Sequence, residues 1–172
     1  MAGKPVPLST LTTLHVGGTP NEIVDAQNET ELIETVLGLD ENGEELLVLG
    51  GGSNLVVSDA PFPGVVVRDA RRDLTVQDQS ACGGVTVEVA AGTNWDDLVA
   101  YAVEQEWSGL EALSGIPGTV GAAPVQNIGA YGREVGENLA SVRVLDRLTG
   151  QVRNLSRAGL ELGYRTSILK RS

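Results

Sequence analysis

Apolar and polar positions recur along this chain at the two spacings that secondary structure imposes, a period of two for strands and about 3.6 for helices. Glu22–Gln27 (EIVDAQ) reads as a strand. Asn28 stands at a helix N-cap with Glu31 three residues on, and Leu32, Ile33, Val36 and Leu37 then form one apolar helical face. Leu46–Leu49 is a short buried strand, interrupted by three glycines and resumed by Asn54–Val57, and Val65–Arg68 is another. Leu74–Gln77 and Val85–Ala90 read as a hairpin, because Val85, Val87 and Val89 alternate with Thr86 and Glu88. Thr93 is placed to cap a second helix, whose apolar face is Trp95, Leu98, Val99, Ala102 and Val103.

From Trp107 to Glu137 the periodicity fades into glycines and prolines, yet Leu110, Leu113, Ile116, Val120 and Ile128 give the stretch apolar anchors. A long segment of this kind that packs is usually functional. Ala140–Leu145 and Gln151–Leu155 make a closing hairpin around Thr149-Gly150, and Ser156 caps a helical turn before Tyr164. Strands interleaved with helices point to an α+β or α/β fold, read here as two small lobes, residues 1–70 and 71–172.

Charge and composition narrow the field. With 12 Lys+Arg against 23 Asp+Glu the net charge is −11, which makes a phosphate-backbone binder the wrong expectation. Aromatics at 3% leave little for single-strand stacking platforms. No stretch approaches the ~20 apolar residues of a membrane span, and MAGKPVPLST lacks a signal-peptide core. The single cysteine, Cys82, and single histidine, His15, provide neither a disulfide framework nor a zinc site. The expectation is a cytoplasmic protein with no metal, no nucleic acid, no membrane and no obligate protein partner. Residues 1–130 hold 19 acids and 4 bases, residues 131–172 hold 4 acids and 8 bases, so a basic tail follows an acidic body. That tail is either a solvated Arg-rich strand face or part of an anion site. Glycine is in excess, 22 of 172 residues or about 13% where ~7% is usual.

Two glycine-rich segments carry the candidate chemistry. In the first, a strand runs into Gly50, Gly51, Gly52, Ser53 and Asn54; backbone free of Cβ atoms can adopt positive φ and gather N–H groups into an anion nest, or simply make a wide turn. No Gly-Lys-Ser/Thr follows, so this is no P-loop, and no helix pattern makes it a dinucleotide turn. The second is Ser114, Gly115, Ile116, Pro117, Gly118, Thr119, Val120, Gly121 and Ala122, against which a flat or phosphorylated ligand can lie; Thr119 is placed to cap a turn that aims N–H groups at phosphate. It continues into Gln126, Asn127, Ile128, Gly129, Ala130, Tyr131 and Gly132, whose amides suit a heteroaromatic edge.

Together with Thr12-Thr13-Leu14-His15-Val16-Gly17-Gly18 and Gly163-Tyr164-Arg165-Thr166-Ser167-Ile168-Leu169-Lys170, these segments resemble, in order and across nearly the whole chain, the UDP-N-acetylenolpyruvoylglucosamine reductase family. The resemblance implies an FAD-binding domain of the vanillyl-alcohol-oxidase/PCMH type, α+β, with two small lobes and FAD between them. It implies that Gly50–Asn54 cradle the pyrophosphate, Ser114–Gly121 and Ala122 line the rest of the cofactor, and Gln126–Gly132 approach the isoalloxazine. It further implies NADPH as reductant, a UDP-sugar enolpyruvyl ether as substrate, Arg165 as the catalytic cation and Tyr164 beside it at the substrate. Hydride addition builds negative charge on a carboxylate-bearing enol, and an always-protonated guanidinium suits that charge.

The family carries a further C-terminal domain with a proton-donating Ser and a Glu, to which no residue here corresponds, and the expectation is an FAD-binding portion inactive or weakly active alone. Ser167 belongs to the Tyr-Arg motif rather than to proton donation. Another flavin-dependent sugar or alcohol oxidoreductase, or a non-catalytic FAD-binding module, are the competing readings. His15 is read as a packing or turn residue, Cys82 as an incidental thiol, Trp95 and Trp107 as core, and Asp96 and Asp97 as helix-dipole partners.

Overall fold

The computed structural model describes residues 5–80 and 84–171; Cys82 lies outside them. It contains β1 (Pro20–Ala26), α1 (Glu29–Glu41), β2 (Leu46–Val48), β3 (Phe62–Asp69), β4 (Leu74–Ser80), β5 (Gly84–Val89), α2 (Trp95–Glu104), β6 (Gly129–Ala130), β7 (Arg133–Glu134), β8 (Ser141–Asp146), β9 (Gln151–Ser156) and α3 (Ile168–Arg171). Contacts divide the chain into two units, one running to Arg71 with Leu145–Gln151 added, the other Arg72–Val144 with the chain from Val152 on. The β8–β9 ribbon therefore contributes its tip to the first unit and its base to the second.

The first unit is a parallel sheet in the order β1-β3-β2, with Val66 opposite both Ile23 and Leu47. A central parallel strand covered on both faces needs an unbroken apolar run, and Val65, Val66 and Val67 are all buried. Alternation sends Val65 and Val67 to a cluster with Val36 of α1, and Val66 to a second cluster with Leu8 and Leu49. The α1 start forms as its sequence signals: Asn28 Oδ1 accepts from the Glu31 N–H at 2.9 Å, and Glu31 accepts from the Gln27 N–H at 2.7 Å.

The strand expected over Asn54–Val57 does not form. Its alternation is real, for Leu55 and Val57 join the Leu8 cluster while Val56 is 78% exposed. The neighbouring main chain, however, bonds to a loop, the Gly18 N–H reaching the Ser58 carbonyl at 2.9 Å. Gly18 is glycine because a Cβ there would run into the Ala60 carbonyl.

In the second unit β4 and β5 form the expected antiparallel hairpin, with a register shift between Val76 and Asp78. The α2 cap is Asn94 rather than Thr93: its Oδ1 accepts from the Asp96 and Asp97 N–H groups, while the buried Thr93 hydroxyl has no hydrogen-bond partner among the described residues. Trp95, Leu98 and Val99 pack with Leu113, Ala123, Ile128 and Val135, so the aperiodic stretch after α2 supplies half of its own core. Trp95 is 2% exposed and its Nε1–H donates to the Leu113 carbonyl at 2.9 Å. Trp107 is only half-buried and meets Tyr101 edge-on, with ring centroids 5.6 Å apart.

Candidate functional site

In the first unit the site is built around Gly52. β2 ends at Val48, the Leu49 N–H completes the sheet on the Val67 carbonyl, and Gly50 and Gly51 then lie exposed. Gly52 is buried at φ 65°; a Cβ there would run into the Leu11 carbonyl and come within 3.0 Å of Thr12 Cα. The Thr13 N–H donates to the Gly52 carbonyl at 3.1 Å, and the Thr12 hydroxyl staples its own loop by donating to the Val16 carbonyl at 2.8 Å. Two sequence blocks some forty residues apart are thus front and back of one loop. Sequence reasoning missed Leu11 and Thr12 as its wall, since their part is played by main chain. Ser53 is half-buried and Asn54 exposed. His15, at φ 55°, keeps its ring Nδ1 3.3 Å from the Ser9 carbonyl, a turn contact.

In the second unit Arg165 occupies the corner of a tight turn closed by the Gly163 N–H to Thr166 O (3.0 Å) and the Thr166 N–H to Gly163 O (3.1 Å). Its φ of 54° is uncommon outside glycine and is held by surrounding contacts. The guanidinium donates to the Asn127 carbonyl at 3.4 Å and to the Gly129 carbonyl, and lies 5.5 Å from the Tyr164 ring centroid. Among the described residues, two of its five N–H groups are thereby engaged. A Cβ on Gly129 would stand 3.0 Å from Arg165 Nη1 and 2.5 Å from the Arg133 carbonyl, so glycine makes the slot.

Asn127 departs from the expectation that its amide faces a cofactor edge. It is 1% exposed, and its Nδ2 donates to Glu134 at 2.7 Å and to the Gly163 carbonyl at 3.1 Å. Its Oδ1 accepts from the Gly136 N–H at 3.0 Å, so the carboxamide is fully engaged in holding the Arg165 seat. Glu134 and Gly136 are parts of that seat with no signal of their own in the sequence. Ser167 is 0% exposed, its hydroxyl donating to the Val125 carbonyl at 2.7 Å, which is a structural bond. Tyr131 and Tyr164 are 92% and 84% exposed, each on a tight turn; Tyr131 at φ 52° and Gly132 at φ 79° form the β6–β7 reversal.

Around Ser114–Ala122 the expected phosphate nest at Thr119 is absent. The Val120 and Gly121 N–H groups donate to the Thr93 and Ala91 carbonyls at 2.9 and 2.8 Å, and those of Ala122 and Ala123 turn back to the Thr119 carbonyl. Gly121 is glycine because a Cβ would meet Ala91 Cβ at 2.5 Å. Ser114 and Gly115 instead bind a carboxylate of the chain itself: Asp96 Oδ1 accepts from the Gly115 N–H at 2.7 Å and from the Ser114 hydroxyl at 2.9 Å. Those two bonds, the Gly115 one first, hold the Asp96 carboxyl below the usual carboxylate range. Asp96 is thus more than a helix-dipole partner. Gly115, at φ 76°, has open space where a Cβ would stand. Within the first unit the bare main chain at Gly50–Gly52 fits the close approach of an anionic group, and within the second the bare main chain at Gly115 and the fixed cation at Arg165 fit a flat, charged ligand.

The chain matches the family model described as FAD binding domain over residues 20–156. It is 52% identical over 168 residues to the UDP-N-acetylenolpyruvoylglucosamine reductase of Cutibacterium acnes, covering 98% of this chain and 44% of that protein. The same enzyme of Salinispora arenicola is 48% identical over 165 residues, covering 96% and 45%. The chain spans less than half the length of these relatives. The crystal structure of the Thermus caldophilus reductase superimposes with a TM-score of 0.76 at 31% identity, over 97% of this chain and 57% of that one. A VAO-type flavoprotein of Myceliophthora thermophila, at 16% identity and TM-score 0.62 over 86% of this chain and 30% of that one, shows the shared fold. The chain is thus similar over nearly its whole length to part of the UDP-N-acetylenolpyruvoylglucosamine reductases and shares its α+β fold with a VAO-type flavoprotein, and it belongs to the FAD-binding-domain family.

Proposed function

We propose that this chain is the FAD-holding part of an enzyme that reduces UDP-N-acetyl-3-O-(1-carboxyvinyl)-glucosamine to UDP-N-acetylmuramate with NADPH, for peptidoglycan precursor synthesis in the cytoplasm. The observation that carries the reading is the Arg165 seat, a cation clamped by two main-chain carbonyls. FAD, when bound, supplies the hydride. Gly50, Gly51, Gly52, Ser53 and Asn54 hold its pyrophosphate; Ser114, Gly115, Ile116, Pro117, Gly118, Thr119, Gly121 and Ala122 line its remainder. Main chain at Gln126, Asn127, Gly129 and Ala130, with the Tyr131 ring, borders the flavin.

Arg165 pairs with the substrate carboxylate and opposes the negative charge that grows on it as hydride arrives, the rigid guanidinium needing no rearrangement at that moment. Tyr164, whose ring centroid lies 5.5 Å from the guanidinium carbon, stands beside Arg165 and presents its hydroxyl to the substrate. No helix among the described residues is long and apolar enough to cross a membrane.

The test is titration of the FAD-loaded chain with the enolpyruvyl substrate, read as a shift of the flavin absorption bands. Arg165→Ala should weaken binding about 10- to 100-fold, the worth of a charge-assisted pair, and Arg165→Lys should recover part of it. Equal affinity in all three proteins would remove Arg165 from the substrate site.

A further inference from the structure

Asp96 is a carboxylate in the wrong place for a phosphate site. It projects from the first turn of α2, which Asn94 caps, and its Oδ1 takes both donors that the Ser114–Gly115 corner offers. Among the described residues its Oδ2 has no hydrogen-bond partner, and the residue is exposed. The four N–H groups after Thr119 are also engaged within the protein. A phosphate at this corner would meet a full negative charge and find the Ser114 hydroxyl and the Gly115 N–H already taken by it. A hydroxyl group would instead find a charged acceptor held rigid by two bonds, an arrangement that gives strong, short hydrogen bonds. Gly115 at φ 76°, with nothing within 4 Å of its Cβ position, keeps the approach to this corner clear. Dinucleotide sites of other folds use a carboxylate on ribose hydroxyls for the same reason.

We propose that Asp96 is a cofactor-binding residue whose Oδ2 accepts from the vicinal hydroxyls of the dinucleotide, the Ser114–Gly115 corner serving to aim it. The inference rests on the FAD reading above and makes residues 114–115 a polyol subsite. The hydroxyls belong either to the ribose of the adenosine half or to the ribityl chain of the flavin half.

The experiment is titration of the flavin-free chain with FAD, FMN and ADP in the wild type, Asp96→Ala and Asp96→Asn. FMN carries the ribityl chain without ribose, and ADP the ribose without ribityl. Asp96→Ala should weaken FAD about 10- to 100-fold and should weaken one of the two halves by a similar factor, which names the source of the hydroxyls. Asp96→Asn keeps an oxygen for Ser114 and Gly115 but loses the charge, so it should retain thermal stability and weaken FAD by roughly 5-fold, in line with neutral bonds being about half as strong. It carries the test if the alanine variant fails to fold. Unchanged FAD affinity in both variants would reduce Asp96 to a loop staple and overturn the proposal, as would equal loss for FMN and ADP. Tighter binding of FAD and of inorganic pyrophosphate would overturn it the other way, marking the corner as a phosphate site closed by its own carboxylate. A wild-type chain that binds no FAD would sink the FAD reading itself, whereas FAD binding indifferent to Asp96 sinks only this inference.

Discussion

Three glycines in a row leave open which one the fold requires, and the packing around Leu11 answers for Gly52. Left-handed backbone and the Leu11 carbonyl both act there, so Gly52→Ala should cost about 1–3 kcal/mol of stability. Denaturant unfolding checks this, and FAD retention should fall with it. Gly129→Ala carries a different signature. Its Cβ would press on Arg165 Nη1 and the Arg133 carbonyl, so substrate binding should fall together with about 1–3 kcal/mol of stability. Ser167→Ala removes the hydrogen bond from the fully buried Ser167 hydroxyl to the Val125 carbonyl and should cost about 0.5–1.5 kcal/mol, with the flavin spectrum unchanged. Arg165 was legible from its motif, but the Asn127 seat was not. An Asn in a glycine-rich run reads as an exposed donor, and only tertiary packing shows that Glu134, Gly136 and Gly163 surround it.

Elements with strong periodicity were legible: α1, α2 and the two hairpins fall close to where their patterns place them. The failures share a cause. Asn54–Val57 alternates like a strand but its nearby main chain bonds to a loop, and Thr93 yields its capping role to Asn94 because residues 91–95 pair with Gly118–Gly121. Neither partner is visible in a local window. Between elements of the first unit, α1 is tied to the tip of the β8–β9 ribbon by Arg147, which donates to Asp40 at 2.5 and 2.9 Å. That hydrogen bonding, with the Arg147 charge, lowers the Asp40 pKa from its ordinary 3.8. A lowered folded-state pKa contributes stability that is present above the unfolded value and is lost as pH falls through the folded one. Asp40→Asn should therefore flatten the acid limb of a stability profile below about pH 4 and leave its neutral slope unchanged. An acid limb identical to that of the wild type would show the pair contributes nothing.

At the scale of the molecule, a net charge of −11 opposes the collection of anionic ligands from a distance. The proposed reading therefore assigns binding to local groups: main chain at the triple glycine, and the eight bases that follow residue 130, Arg165 among them. The direct measurement is a flavin titration of the purified, flavin-free chain, followed by absorbance with stoichiometry read at the equivalence point. One FAD per chain is expected, with retention lost in Gly52→Val while far-ultraviolet circular dichroism shows the fold kept. A folded chain that takes up no FAD at a large excess, or a Gly52→Val variant that holds it stoichiometrically, would contradict the assignment of these glycines to the cofactor.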